Sequence, residues 1–154
     1  MKILVAGATG FLGGRLITRL AAMGAEVIAL ARSPVSEELL ATPKLHWIIG
    51  DIAKQGANLG NLTNFDAVVH LAGATLGAGK DESLHLQANE QVTIRLLQTV
   101  APLTRRVIYA SSQVVYGDPR HLSVTEDFPL LPYRSAYACS KVNSENWLRW
   151  FHGK

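Results

Sequence analysis

Cysteine is almost missing from this chain: Cys139 stands alone among 154 residues. A disulfide framework is therefore excluded. Aromatic residues make up only 7% and charged residues only 18%. No apolar run approaches the ~20 residues that a membrane-crossing helix needs. A secretory leader is not read either, because Met1-Lys2 leads straight into the short segment Ile3–Ala6, with glycines immediately after. The expectation is a soluble, cytoplasmic protein with no membrane partner.

What is present can fill a core. Hydrophobic residues reach 48%, which argues against intrinsic disorder. A domain of this length buries roughly two thirds of the surface its unfolded chain exposes. No internal repeat, low-complexity segment or linker divides the chain, so residues 1–154 are expected to form one domain. The formal net charge is +3, yet the basic residues do not cluster. Arg15, Arg19, Arg32, Lys44, Lys54, Lys80, Arg95 and Arg120 are scattered, and Arg105-Arg106 is the only adjacent pair. A nucleic-acid partner needs a denser patch than that. A small anionic ligand suits the mild excess better. His46, His70, His85, His121 and His152 show no ligand spacing, and with one cysteine no metal is assigned.

Short β-branched runs alternate with helical patterns. Strands are expected at Lys2–Ala6, Glu26–Leu30, Leu45–Ile49, Asp66–Leu71 and Arg106–Ala110. Phe11–Met23 has helical spacing, with Leu12, Leu16 and Leu20 on one face and Gly24 as the cap. Ser36–Leu40 is a short helix candidate. Glu82–Ala101 reads as one long helix with Leu86, Val92, Leu96 and Leu97 among its apolar positions. Ser135–Phe151 reads as the last helix, and Gly117–Pro132 as a loop with three prolines. Such alternation implies parallel pairing through right-handed crossovers: a three-layer, doubly wound α/β sheet of strand order 3-2-1-4-5. The glycine-rich stretch Gly73–Gly79 falls at the carboxyl end of the fourth strand, the edge where such sheets bind ligands.

The segment Gly7-Ala8-Thr9-Gly10-Phe11-Leu12-Gly13 joins the first strand to the first helix. Its glycines permit a tight turn, close approach of a phosphate to backbone N–H groups, and close helix–strand packing. The helix amino end then faces a pyrophosphate. The spacing is G-x-x-G-x-x-G, and an ordinary strand–helix connector is the plain alternative. Placement directly after the first strand favours a dinucleotide. The second strand ends in Ala31-Arg32, which supplies no carboxylate for a ribose 2′-hydroxyl and one guanidinium for a 2′-phosphate. NADP is expected ahead of NAD, with a solvated surface arginine as the alternative reading. Tyr137 and Lys141 are four apart, so a helix places them on one face. A tyrosine needs a neighbouring cation before it can act as a base near neutrality. Lys141 can be that cation.

These segments, in this order, resemble the extended branch of the short-chain dehydrogenase/reductase superfamily, the NAD(P)-dependent epimerase/dehydratase family. The matching motifs are GATGFLG (Gly7–Gly13), GDI (Gly50–Ile52), HLAG (His70–Gly73), Asn89 in its helix, SSQVVYG (Ser111–Gly117) and YACSK (Tyr137–Lys141). The resemblance implies that Tyr137 is the catalytic acid/base. It implies that Lys141 binds the nicotinamide ribose and lowers the tyrosine pKa. Ser112 would bond the substrate oxygen, with Ser111 as the less favoured neighbour. Gly7, Thr9, Gly10, Phe11, Leu12 and Gly13 would bind the cofactor, with Asp51 and Ile52 at the adenine. Leu71, Ala72 and Gly73 would line its path, and Asn89 would be a structural or cofactor-side residue. Two positions depart from the family pattern: Ala31 replaces the aspartate of NAD-preferring members, and Val92 replaces a glycine.

Tyr116 and Tyr133 lack a lysine four residues on and read as loop packing. Cys139 reads as a small buried side chain, and Trp147, Trp150 and Phe151 as packing residues. Members of the extended branch are about twice this length, so the chain resembles the cofactor half without the C-terminal substrate domain. The implied activity is Tyr-assisted proton transfer coupled to nicotinamide hydride transfer on a small molecule, a nucleotide sugar by the family's range. A dinucleotide-binding sensor or interaction module without turnover is the alternative. The resemblance also implies a homodimer through the helices around Glu82–Ala101 and Ser135–Phe151, against a monomer whose terminal aromatics fold back.

Overall fold

The computed structural model describes residues 1–54, 62–75, 81–118, 123–133 and 135–153. Its strands are β1 (Lys2–Ala6), β2 (Glu26–Ala31), β3 (Leu45–Ile49), β4 (Ala67–His70) and β5 (Val107–Tyr109). The helices are α1 (Phe11–Ala22), α2 (Glu37–Leu40), α3 (Ser83–His85), α4 (Val92–Val100) and α5 (Ala136–His152). The five strands form one sheet in the order β3-β2-β1-β4-β5. All four neighbouring pairs are parallel, with Ile3 opposite Val27 on one side and Ala67 on the other. The expected topology is the observed one.

Strand alternation explains the three layers. On β1, Leu4 and Ala6 join Ile28, Leu30 and Val68 in an apolar cluster closed by Val92, Leu96 and Val100. Ile3 and Val5 point the other way, toward Val27, Ala29, Val69 and Ile17 of α1. Period-two side chains thus feed a core on each face. Connectivity reverses between β1 and β4, and a doubly wound sheet opens its ligand crevice at such a point.

Boundaries move slightly from the sequence reading, since β4 and β5 each lose a residue at both ends. The larger correction concerns the helix expected as one piece over Glu82–Ala101. A π-helical segment, Leu86–Gln91, separates α3 from α4, and a 3₁₀ turn follows at Ala101–Leu103. The wider turn changes the helical register, so Leu86 is 50% exposed while Val92, Leu96 and Leu97 are buried. A uniform 3.6-residue period cannot foresee that shift. Gly24 ends α1 as expected, at φ +86°. Of the stretch Gly73–Gly79, residues 76–79 lie outside the described residues, as do 119–122 of the loop over Gly117–Pro132.

Candidate active site

The first wall of the site is made of backbone. Gly7 leaves β1 at φ +83°, where a Cβ would lie 2.6 Å from the Ala72 nitrogen. Only glycine fits there. At Gly13 a Cβ would fall 2.1 Å from the Gly7 carbonyl oxygen, so this glycine lets α1 pack directly on the turn. Gly10 meets less: only the Gly7 oxygen lies near, at 3.3 Å from a built Cβ. The Gly14 N–H donates to the Gly10 carbonyl at 2.8 Å, opening α1. No acidic side chain occupies the first turn of α1, so the partial positive charge of the helix end is left for a ligand.

A groove of about 780 Å³ runs over this turn, a size usual for small-molecule sites. Gly7, Thr9, Gly10, Arg32, Asp51, Ile52, Leu71, Ala72 and Gly73 all line it, as anticipated from the sequence. Phe11 and Leu12 do not; they are 83% and 58% exposed, with the Arg15 guanidinium 4.7 Å from the Phe11 ring centre. Gly13 is buried beneath the turn. Lys54, Gln87 and Gln91 also line the groove, and the sequence reading missed them. The four-residue spacing of the two glutamines was the available signal.

Beside the groove stands a wall of side chains; Asn89, Ser112, Tyr137 and Lys141 are not among the residues that line the groove itself. Asn89, 1% exposed, sits in the π-helical segment. Its Oδ1 accepts from the Ala74 N–H at 2.7 Å, and its Nδ2 donates to Ser140 Oγ at 2.9 Å. Ser140 Oγ donates onward to the Tyr137 carbonyl at 2.7 Å. Asn89 therefore ties the loop after β4 to the helix that carries Tyr137 and Lys141. Thr93 Oγ1 donates to the Asn89 carbonyl at 2.7 Å, and its oxygen contacts His70 Nε2 at 2.8 Å. With the threonine proton committed, His70 must hold its proton on Nε2. π-Helical turns recur at functional sites, and here the turn carries the residue that joins two walls.

Lys141 is 6% exposed, and its Nζ donates to the Ala110 carbonyl at 2.9 Å. The ammonium lies 4.7 Å from the Tyr109 ring centre and 5.8 Å from that of Tyr137. Burial pulls its pKa down to about 8, while the Glu145 carboxylate works in the opposite direction. Burial, then the nearby Lys141 charge, holds His70 down at about 3, so this imidazole is neutral. Tyr109 is pushed up to about 12, mainly by burial. His85 packs edge-on against Tyr137, ring centres 5.4 Å apart. Ser112 caps the 3₁₀ turn Gln113–Tyr116, its Oγ accepting from the Val114 N–H at 3.5 Å. Its neighbour Ser111 is committed elsewhere, donating to Glu145. Cys139 is half-buried rather than buried, and its thiol donates to the Pro132 carbonyl at 3.3 Å.

Gly73 is where the walls meet. It lines the groove, and a Cβ there would stand 2.5 Å from Asn89 Oδ1 and 3.8 Å from Lys141 Nζ. Lys141 itself does not line the groove; Gly73 is the lining residue that adjoins it. The cradle fits an extended anionic molecule with a pyrophosphate at its middle.

A parallel sheet in this order, a glycine turn at its reversal point and a Tyr–Lys pair beyond the groove define a dinucleotide-binding protein of the short-chain dehydrogenase/reductase class. The chain belongs to the NAD dependent epimerase/dehydratase family, whose profile matches residues 3–154. Among curated relatives, UDP-glucose 4-epimerase 4 of Oryza sativa subsp. japonica is 31% identical, over 96% of this chain and 44% of its own length. UDP-glucose 4-epimerase of Lactobacillus helveticus is 28% identical over 97% of this chain and 47% of its own. MoeE5 in complex with UDP-glucuronic acid and NAD superposes with TM-score 0.85 and 32% identity, over 100% of this chain and 50% of that one. UDP-glucuronic acid 4-epimerase from Bacillus cereus, with UDP-glucuronic acid and NAD, gives 0.84 at 28% identity, covering 100% and 53%. The chain thus spans about half the length of the relatives it matches.

Proposed function

We propose that this chain binds a nicotinamide dinucleotide and supplies the proton-transfer residues of an epimerase- or dehydratase-type oxidoreduction on a nucleotide sugar. The junction at Gly73 carries the reading: this groove-lining residue stands next to Lys141, whose Nζ would lie 3.8 Å from a Cβ built on it. The bound nicotinamide would accept and return hydride. Tyr137 would give and take the proton of the substrate hydroxyl. Lys141, anchored on the Ala110 carbonyl, would hold a positive charge near that phenol and reach the ribose. Ser112, the first residue after the Ser111–Glu145 tie, would bond the substrate oxygen. UDP-sugars in the solved neighbours support the substrate class.

Arg32 at the end of β2, with Ala31 before it, supports NADP(H); the NAD held by the solved neighbours supports NAD(H). A dinucleotide-binding module without turnover is the second reading, favoured by the half-length coverage. The exposed Leu86 and half-exposed Trp150 support a homodimer through the helices around Glu82–Ala101 and Ser135–Phe151. Light scattering over a concentration series should give twice the chain mass; a constant monomer mass would reject the dimer.

Calorimetric titration with NAD and NADP, followed by an assay of UDP-glucose/UDP-galactose interconversion, tests the main reading. Tyr137→Phe should cut turnover by about 10²-fold or more while the dinucleotide Kd stays within about threefold. Absence of dinucleotide binding would overturn the assignment. Binding without turnover in the unaltered protein would select the second reading.

A further inference from the structure

Two consecutive residues at the end of β5 are gripped by two residues one helical turn apart on α5. Lys141 takes the Ala110 carbonyl at 2.9 Å, and Glu145 accepts from the Ser111 hydroxyl. The match is geometric: i,i+4 side chains on a helix face point the same way, and here they reach adjacent residues of one strand end. Ser112 follows directly and starts the 3₁₀ turn. The same α5 face carries Tyr137 one turn earlier. The Glu145 side chain is 19% exposed, and its second oxygen pairs with Arg149 at 2.9 Å. Both carboxylate oxygens are therefore in use.

We propose that Glu145 is a positioning residue: by pinning Ser111 to α5 beside the Lys141–Ala110 bond, it sets where Ser112 stands relative to Tyr137 and fixes a carboxylate one helical turn from Lys141. The proposal deepens the functional reading above and rests on it for the roles of Ser112 and Tyr137. Its electrostatic part follows from what surrounds Lys141. His70 from β4 is neutral, Tyr109 from β5 keeps its proton, and Tyr137 lies on the same helix face. Asn89, from the π-helical segment, contributes only an amide. Glu145 is thus the anionic group that acts on Lys141 among its described neighbours, and Arg149 shares that carboxylate from the solvent side.

The test uses the unliganded protein, so it does not depend on dinucleotide binding or turnover. Lys141 is followed through its ¹³Cε resonance as pH is raised, and backbone exchange is followed at Ser112–Val115. Glu145→Gln keeps an acceptor for Ser111 but removes the charge; the Lys141 midpoint should fall by about half a pH unit or more. Ser111→Ala keeps the charge but removes the tie; exchange at Val114 and Val115 should quicken about tenfold while the amides of α1 are unchanged. Glu145→Ala should do both, and if it fails to fold, the other two variants still decide. An unmoved midpoint in Glu145→Gln, or exchange that quickens equally across the sheet in Ser111→Ala, would overturn the proposal. A failure to bind any dinucleotide, with these shifts present, would overturn the functional reading alone.

Discussion

The glycine turn under the groove and the side-chain wall beside it are built from different materials. Around Gly7–Gly13 the chain presents backbone, and its shape depends on the absence of Cβ atoms at Gly7 and Gly13. Around Asn89, Ser140 and Lys141 it presents side chains joined in series across three elements. The backbone wall offers peptide N–H groups, which do not titrate and so suit an anion regardless of pH. The side-chain wall can be tuned, since burial and neighbouring charge set Lys141 near 8. Under the proposed function, binding and chemistry are thereby separated, and substitutions should break them separately.

The largest effect is expected at the first wall. Gly13→Val would drive a side chain into the Gly7 carbonyl, whose oxygen stands 2.1 Å from the Cβ position. Backbone cannot yield there without lifting α1 from the sheet. A loss of about 3 kcal/mol or more is expected, read by urea unfolding. Gly14→Ala is the matched control, because its Cβ would find its nearest neighbour, the Ala8 carbonyl oxygen, at 3.8 Å. That variant should gain about 0.5–1 kcal/mol from helix propensity. Equal behaviour of the two would show that the wall is not held by close approach.

The difference between the walls also decides what a sequence can reveal. Gly7, Gly10 and Gly13 are legible because their constraint is local: a turn, then a helix, within seven residues. Tyr137 and Lys141 are legible because four-residue spacing survives in any helix. The Ala110, Ser140 and Glu145 contacts are not, since each joins segments 31 to 51 residues apart. Nothing near Glu145 in the sequence announces Ser111 as its partner. The π-helical turn is hidden for another reason. It inserts register into a helix whose apolar pattern still reads as continuous, so Leu86 counts as core in the sequence and is exposed in the fold.

A second prediction concerns pH and the side-chain wall. His70 is held at about 3 in the folded protein against 6.5 for an ordinary histidine, through burial first and the Lys141 charge second. Below pH 6.5 the unfolded chain takes up a proton that the folded one refuses. Stability that is full above that pH is therefore lost as pH falls toward about 3. Between pH 7 and 4.5 this side chain should remove roughly 2–3 kcal/mol. His70→Gln keeps a donor for Thr93 and does not titrate. Urea unfolding should show a flatter acid limb in the variant; parallel limbs would reject the assignment.

The smallest effect is expected at the far end of the groove, where Arg32 lines the exit from β2. The backbone wall treats NAD and NADP alike, because the pyrophosphate is common to both. Discrimination must come from the few side chains that reach the adenosine ribose, and Ala31 has nothing to offer a 2′-hydroxyl. Arg32 is exposed, so its pairing with a 2′-phosphate is screened by solvent and salt and is worth about 1 kcal/mol. Arg32→Ala should weaken NADP binding by about three- to tenfold and leave NAD nearly unchanged. The ratio of the two affinities, measured calorimetrically at low and high salt, is the quantity to follow. A ratio unmoved by the substitution would return Arg32 to the solvated surface and leave Lys54, which lines the same groove, as the cation to alter next.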